Sequence, residues 1–522
     1  MKGSNTMKRY SGILLSVSSL PSKYGIGCFD KVAYDFVDWL EKTGQRYWQI
    51  LPLGATSHAG AFDSPYQAYS AFAGNPYFIS LEDLIAEGVL TEEECAVVDF
   101  GTDPAKVDYA ALFENRLPLL HKAYERSKIS QDPGFVAFCK ENFWWLDDYA
   151  LFMAVREFFG GKSWTEWPTD IRMHYGYALD YYREKLYFDV EFQKYLQFKF
   201  YQQWSKLKKY ANDKNILIVG DMPIYVSPDG SDVWAQPEMF QLDSENRPTQ
   251  IAGCPPDSFS ADGQVWGNPL YRWDYHRQTG FQWWVTRMWY SYKLYDLVRL
   301  DHFRGFDEYF AIPAASASAK DGHWEKGPGM ELFNTLKHAL GEKGVIAEDL
   351  GLMTDSVRQL VHDSGYPNMK VIQFAFSSID KGGANEYLPH NYTNNCVVYT
   401  GTHDNETITG WISGLEKKER DHIRAYLRDF ETANKWLYRK LIDLAMMCCA
   451  DTCIIPLQDW LGLGNSSRMN TPGTVDINWS WRLLPGQVTE ELGKEVCAVS
   501  MRYGRANWDA LNALKEKEEA EE

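Results

Sequence analysis

The sequence predicts an α/β fold, a (β/α)₈ TIM barrel with an α-helical insertion and a long irregular loop insertion over its active face. Eight short apolar runs have the composition of strands buried in a parallel sheet, and helical stretches separate most of them. The clearest run, at 297–306, begins apolar and then carries Arg299, Asp301, His302 and Arg304. Charged residues at the C-terminal end of a buried strand are typical of the catalytic face of such a barrel. Because a salt-bridged strand end would look the same, the interpretation depends on how the other strands end.

The predicted strands are residues 10–17, 46–51, 215–219, 297–301, 344–348, 369–376, 396–400 and 452–457. Helical spacing follows several of them, at 31–43, 330–340, 354–364 and 417–447. Eight strands are the number that closes a barrel of this type.

Two stretches interrupt the strand and helix alternation. Residues 109–126, 134–143, 146–159 and 190–210 have helical patterns with little strand signal, and a non-helical stretch rich in Pro, Gly and Trp follows the third strand. A loop this long within a compact domain is usually functional. The predicted parts are 1–80, the first part of the barrel; 81–211, a mainly α-helical insertion; 212–224, strand three; 225–275, a substrate-covering loop insertion; 276–510, the remainder of the barrel; and 511–522, a charged C-terminal tail.

The composition argues against some classes of binding partner and indicates a cellular compartment. A net charge of −18 argues against nucleic acid or an anionic membrane as the main partner. Nine cysteines form an odd count without a regular framework, which predicts reduced thiols and a cytoplasmic location. The apolar run at 12–20 is too short and too rich in serine for a signal peptide, and no run approaches the ~18–20 apolar residues of a membrane span.

Four of the predicted strands end in acids, at Asp221, Asp301, Glu348 and Asp404. Like charges on one rim repel each other, so this set favours a catalytic explanation over a structural one. Glycosyl transfer with retention needs one ionised carboxylate and one protonated carboxyl about 5–5.5 Å apart. Neighbouring strands about 4.8 Å apart could supply that geometry. Arg299, two residues before Asp301, would face the same side of the strand and keep the nucleophile ionised.

The motifs Arg-Leu-Asp-His-Phe-Arg-Gly at 299–305, Ala-Glu-Asp-Leu-Gly at 347–351 and Gly-Thr-His-Asp-Asn at 401–405 carry a resemblance to a known family. They resemble those of the 4-α-glucanotransferases called amylomaltase or disproportionating enzyme, glycoside hydrolase family 77 of the α-amylase superfamily. The similarity runs from residue 10 to residue 473. It implies transfer of an α-1,4-glucan segment to the 4-hydroxyl of glucose or another glucan by double displacement, without a metal or organic cofactor.

The resemblance also implies roles for individual residues. Asp301 matches the nucleophile, Glu348 the acid/base and Asp404 the transition-state stabiliser. The positions that match substrate-binding residues are Arg299, His403 and Asp221 at the cleavage point, Tyr66 on the donor sugar, Phe259, Gln264 and Trp266 in the acceptor loop, and Ser64, Asp257 and Asn470.

Two positions depart from related patterns. Val226 stands where many α-amylases have a histidine five residues after the strand-three aspartate, which favours amylomaltase over amylase. Ser258 stands before Phe259, where an aromatic is expected in some relatives, so a weaker outer acceptor platform is one reading and neutral variation the other. An α-glucan hydrolase of the same superfamily and a catalytically silent glucan-binding protein stay open as alternatives, and the expected assembly is a monomer or a homodimer.

Overall fold

A parallel β-barrel lies at the centre of the computed structural model, which describes residues 9–56, 63–256, 262–351, 353–376, 383–474 and 478–521. The strands of the described residues are β1 Tyr10–Leu14, β2 Tyr47–Gln49, β3 Leu217–Met222, β4 Gln250–Cys254, β5 Gln264–Pro269, β6 Leu297–Leu300, β7 Glu308–Pro313, β8 His323–Lys326, β9 Gly344–Ala347, β10 Asn368–Val371, β11 Cys396–Tyr399 and β12 Thr452–Pro456.

The barrel closes in the order β1-β2-β3-β6-β9-β10-β11-β12, with β12 pairing back onto β1. All eight pairings are parallel, and the strands correspond in order to the eight predicted from apolar runs. The predicted fold class is therefore confirmed. The predicted ends are wrong by at least three residues at three strands. The run at 10–17 leaves the sheet after Leu14, and Val17–Ser19 is a 3₁₀ turn. The run at 369–376 leaves the sheet after Val371 as a 3₁₀ turn, and β3 extends beyond Val219 to Met222, which places Asp221 inside the strand.

The helices of the described residues are α1 Lys31–Lys42, α2 Leu81–Ala86, α3 Glu92–Ala96, α4 Tyr109–Ser127, α5 Pro133–Phe158, α6 Thr169–Arg172, α7 Gly176–Lys185, α8 Tyr187–Asp213, α9 Ser231–Ala235, α10 Trp273–Gln278, α11 Gln282–Leu294, α12 Met330–Leu340, α13 Asp355–Ser364, α14 Ile408–Gly414, α15 Lys417–Leu427, α16 Leu437–Met447, α17 Leu457–Trp460, α18 Glu490–Arg502 and α19 Trp508–Glu521. None of these helices is long and apolar enough to cross a bilayer.

Helices α2–α8 occupy the chain between β2 and β3, and α5 packs along α8. The Asp132 side chain accepts the Gly134 N–H at 2.7 Å, and Pro133 takes the first helical position, so α5 starts there. The helices predicted at 134–143 and 146–159 are one helix, because no Gly or Pro separates them. Conversely, the stretch predicted as one helix at 417–447 is two, since Arg428 adopts the left-handed conformation (φ 51°) after α15.

The stretch from 225 to about 273 was predicted to be non-helical, and this is wrong. It contains the short helix α9 and the strands β4 and β5, and α10 begins at its end. β4 pairs antiparallel with β5 and with β7, and β7 pairs with β8, giving a second sheet in the order β5-β4-β7-β8. The sheet joins the segment after β3 to the segment after β6, on the side of the barrel where the acidic strand ends lie.

Side chains of the barrel strands fill its interior, as expected for this fold. A cluster of Leu14, Val219, Ile346, Met369, Val397, Tyr399 and Ile454 is buried there. Most of the large aromatics are buried too, with Trp48, Trp204 and Trp284 almost fully enclosed. The aromatic content of the sequence therefore mainly fills the core.

Candidate active site

The barrel register brings three of the acidic strand ends together. Asp221 on β3 pairs with Arg299 on β6, and Leu300 pairs with Ala347 on β9. Asp301 and Glu348 are the next residues on these two neighbouring strands. The barrel therefore sets the two candidate catalytic acids side by side, as the sequence predicted.

Arg299 joins two of the carboxylates. Its Nη1 lies 2.8 Å from each carboxylate oxygen of Asp221 and 2.9 Å from Oδ1 of Asp301. Burial raises the pKa of Asp221, and Arg299 opposes that rise. Arg299 is only 2% exposed, so its charge acts with little screening by solvent and offsets the repulsion between the two acids.

Glu348 is a buried carboxyl, 9% exposed, that accepts backbone N–H groups on both oxygens. The His302 N–H lies 2.7 Å from Oε2 and the Leu350 N–H lies 2.8 Å from Oε1. Burial and the charge of Asp301, opposed by Arg299, raise the pKa of Glu348 to about 7. A carboxyl with such a pKa can both donate and accept a proton near neutral pH.

Asp404 follows β11 in the loop 401–407. Its Oδ1 accepts the Asn470 amide at 2.6 Å, and its Oδ2 lies 3.3 Å from Nε2 of His403. Burial alone would raise the pKa of Asp404, but His403 and Asn470 hold it below its ordinary value, so this acid is ionised. Arg468 donates to the backbone carbonyls of Asp404 and Asn470, each at 2.7 Å, and so fixes the pair.

Tyr66 links the two halves of the site. Its hydroxyl donates to Asp221 Oδ2 at 2.9 Å and lies 2.7 Å from Nε2 of His403, while its ring stacks on the His403 ring at 5.3 Å. The Ser64 hydroxyl accepts the Tyr66 N–H at 3.3 Å in the turn that presents this tyrosine. Burial opposes a charged imidazole, yet Asp404 raises the pKa of His403.

Two of the predicted acceptor residues lie on β5. The Gln264 Oε1 accepts the Trp266 indole N–H at 3.0 Å, and the Trp266 ring meets the His302 ring edge-on at 4.9 Å. The backbone of His302 in turn holds Glu348, so the second sheet contacts the acid/base candidate through one residue. Asp257, Ser258 and Phe259 lie outside the described residues. Val226 is buried, and its carbonyl accepts the Asn268 amide at 2.8 Å.

The structure adds residues that the sequence did not single out as site residues. His302 adopts the left-handed conformation (φ 51°), which turns its N–H toward Glu348, and burial lowers the pKa of its imidazole to about 4. Its place directly after Asp301 was the available signal. Arg468 lies two residues before Asn470, which the resemblance had already placed at the site, so its signal was that neighbour. Trp479 is tilted against Tyr66 at 5.5 Å and had no such neighbour among the predicted site residues.

The arrangement suits acid/base and nucleophilic chemistry on a glycosidic bond. It provides a carboxylate beside a buried arginine, a carboxyl with a raised pKa on the neighbouring strand, and a third acid held ionised. Among the described residues, no group of three or more His, Cys, Asp or Glu side chains is arranged to hold a metal ion.

Comparisons with known proteins agree with this geometry. A family model described as 4-alpha-glucanotransferase matches residues 15–487. The chain is 45% identical over 513 residues to a 4-alpha-glucanotransferase of Streptococcus pneumoniae, covering 97% of this chain and 100% of that one, and 44% identical to one of Thermus thermophilus, covering 95% and 98%. The structure of an amylomaltase from Streptococcus agalactiae in complex with acarbose aligns with a TM-score of 0.92 at 41% identity, over 96% of this chain and 100% of that one. The chain therefore belongs to the 4-α-glucanotransferase family, glycoside hydrolase family 77.

Proposed function

We propose that the protein is a retaining 4-α-glucanotransferase, which moves a segment of an α-1,4-glucan to the 4-hydroxyl of glucose or of another glucan. The observation that carries this proposal is the pair Asp301 and Glu348 on neighbouring strands, one beside Arg299 and the other with its pKa raised to about 7. The family membership supports the same activity.

In the first half-reaction, an Asp301 oxygen attacks the anomeric carbon from the face opposite the glycosidic oxygen. The bond from that carbon to the glycosidic oxygen breaks, and Glu348 gives its proton to the departing 4-oxygen of the released chain. Positive charge develops on the sugar ring in the transition state, and the ionised Asp404 stabilises it. The product is a covalent glycosyl ester on Asp301 with inverted configuration.

In the second half-reaction, Glu348 as carboxylate removes the proton from the 4-hydroxyl of an incoming glucan. That oxygen attacks the anomeric carbon, the bond to Asp301 breaks, and the α-configuration returns. Water can attack in the same way, so transfer requires that an acceptor be bound well and water excluded. We assign the binding of the acceptor and the exclusion of water to the segment 225–275. Within it, the ring of Trp266 is the surface on which an acceptor sugar would stack.

The test is incubation of the purified protein with maltotriose alone, followed by chromatography of the products over time. A ladder of longer maltooligosaccharides plus glucose is the expected result. Glucose and maltose alone would make the protein a hydrolase. Unchanged maltotriose would favour a silent glucan-binding protein and overturn the proposal.

We also infer a cytoplasmic location and a monomeric or homodimeric assembly. All nine cysteines are free thiols, which fits a reducing compartment. Fractionation of cells that express the chain tests the first inference, and sedimentation equilibrium tests the second. Secretion in one experiment, or a larger assembly in the other, would contradict them.

A further inference from the structure

Helix α7 carries a stripe of exposed aromatic side chains that the catalytic site does not use. Ala178, Leu179 and Tyr182 face inward, whereas Tyr177 and Tyr181 are 67% and 56% exposed. Residues four apart lie on one face of a helix, about 6 Å apart along its axis, so the two rings follow each other.

Two further rings extend the stripe at its two ends. Tyr175, which precedes α7, is 46% exposed, and its ring centroid lies 6.0 Å from that of Tyr177. At the other end, Lys185 Nζ lies 3.3 Å from the Tyr181 hydroxyl and 4.2 Å from the ring centre of Phe158, which is 45% exposed. We call Phe158, Tyr175, Tyr177 and Tyr181 the tyrosine stripe.

The stripe lies on the side of the barrel where the strands end in acids. Helix α8 has 27 residues, about 40 Å, and runs back to the start of β3, whose six residues span only about 20 Å. The start of α8, and with it α7, therefore stands beyond the mouth of the barrel. The segment before α7 also contacts the loop that follows β3, since Trp164 donates to the Pro228 carbonyl at 2.9 Å and Trp234 donates to the Ile171 carbonyl at 2.8 Å.

Chemistry and size indicate what this surface can bind. A tyrosine presents an apolar face with a hydroxyl at its rim, and a sugar ring likewise has apolar C–H faces with hydroxyls around them. Four half-exposed rings offer about 400 Å² together, about half of the ~800 Å² per partner that a stable protein interface buries. Charged residues, including Asp180, Arg183 and Glu184, lie beside these rings on α7.

We propose that the tyrosine stripe is a second α-glucan-binding site, separate from the catalytic cleft, which holds a distant part of a long chain beyond the barrel mouth. The inference rests on the proposed function for the class of ligand, because the chain that reaches this surface is the chain that the cleft would process. Because the stripe lies on α7 beyond the barrel mouth, we expect it to act on glucans long enough to extend from the cleft to this helix. Attachment at two points raises the apparent affinity without any change in the cleft.

The experiment compares the wild type with the double variant Tyr177→Ala/Tyr181→Ala by native gel electrophoresis in gels with and without amylose. Saturating acarbose is added as the competitor expected to occupy the cleft, since a 41%-identical relative has been solved in complex with acarbose. The matched control is Trp508→Ala. Trp508 is 53% exposed but belongs to the opposite end of the barrel, where the preceding residue Asn507 donates to the carbonyls of Gln45 and Asn215 just before β2 and β3.

We expect amylose to retard the wild type and the control with acarbose present, and to bind the double variant about tenfold more weakly. The variant with Phe at both positions should keep most of the retardation, because the ring faces remain. Turnover of maltotriose should be the same in all four proteins, and this assay tests the proposed function separately. Equal retardation of the double variant and the wild type would overturn the second site. So would a wild-type dimer in sedimentation that becomes a monomer in the double variant, because the stripe would then be a self-association surface.

Discussion

The floor of the site and its cover are built in different ways. The floor consists of the strand ends of β3, β6, β9 and β11, where Arg299 is 2% exposed and the acids are fixed by short hydrogen bonds. The cover is the antiparallel sheet β5-β4-β7-β8, where Val265 is 42% exposed and Trp266 contacts the floor through the edge of one imidazole. Buried charge networks fix the positions of reacting groups, and exposed rings adapt to a bound chain. Under the proposed function, the chemistry should depend on the floor, and the choice between acceptor and water should depend on the cover.

Replacement of the proposed nucleophile should give the largest effect. Asp301→Asn replaces the attacking carboxylate by an uncharged amide and so removes the negative charge beside Arg299 Nη1, while keeping the size of the side chain. We expect kcat with maltotriose to fall at least about a thousandfold. Circular dichroism and thermal melting should show a folded protein, because the Asp221 partner of Arg299 remains. Turnover near the wild-type rate would show that Asp301 is not the nucleophile.

The rate lost on replacement of the proposed acid/base should depend on the leaving group. Glu348→Gln cannot donate a proton, so we expect maltotriose turnover to fall about 10²–10⁴-fold. Fluoride leaves without protonation, so α-maltosyl fluoride should still form the glycosyl intermediate in this variant. Added azide attacks without the help of a base and should release the intermediate as α-maltosyl azide. An equal loss with both donors, without rescue by azide, would contradict the assignment.

The pH dependence of kcat/KM in the wild type should report the pKa of Glu348. Burial and Asp301 raise the pKa of Glu348 to about 7, and only the protonated form serves as acid. Below that pH the group is protonated and active; as pH rises through about 7, kcat/KM should fall, tenfold per pH unit once well above it. α-Maltosyl fluoride should show a weaker alkaline limb in the glycosylation step. A rate with maltotriose that stays constant from pH 6 to pH 9 would exclude this pKa.

Tyr66→Phe tests the link between the two halves of the floor. The change removes the hydroxyl between Asp221 and His403 and keeps the ring that stacks on His403. Buried groups that lose a hydrogen-bond partner cost about 1–3 kcal/mol, so kcat/KM should fall about 5- to 150-fold. Tyr66→Ala, which also removes the ring, should fall further. If the two variants behave alike, the hydroxyl carries the whole effect and stacking contributes little.

The sequence predicted the floor better than the cover for a physical reason. A strand of a parallel barrel is a short apolar run, and an acid directly after it must face the mouth, so Asp301 and Glu348 could be placed from local sequence alone. The cover depends on pairing between distant segments, with Gln250 opposite Pro313, and its edge strands β5 and β8 lack a continuous apolar run. The roles of Trp479 and Arg468 likewise depend on the return of a distant segment to the mouth.

The cover should give the smallest effect and a different kind of effect. Trp266→Ala leaves the hydrogen bonds of the acids in place and removes the ring that meets His302 at 4.9 Å. We expect kcat/KM for transfer to fall only about two- to tenfold, as aromatic contacts are worth about 0.5–1.5 kcal/mol. The fraction of intermediate lost to water should rise, measured as free reducing ends released per transfer event. Trp289→Ala, at an exposed tryptophan on the outer helix α11, is the control and should change neither quantity. If Trp266→Ala instead lowered transfer and hydrolysis equally, the Trp266 ring would act on the catalytic step through His302 and Glu348. Trp266 would then belong to the floor and not to the cover.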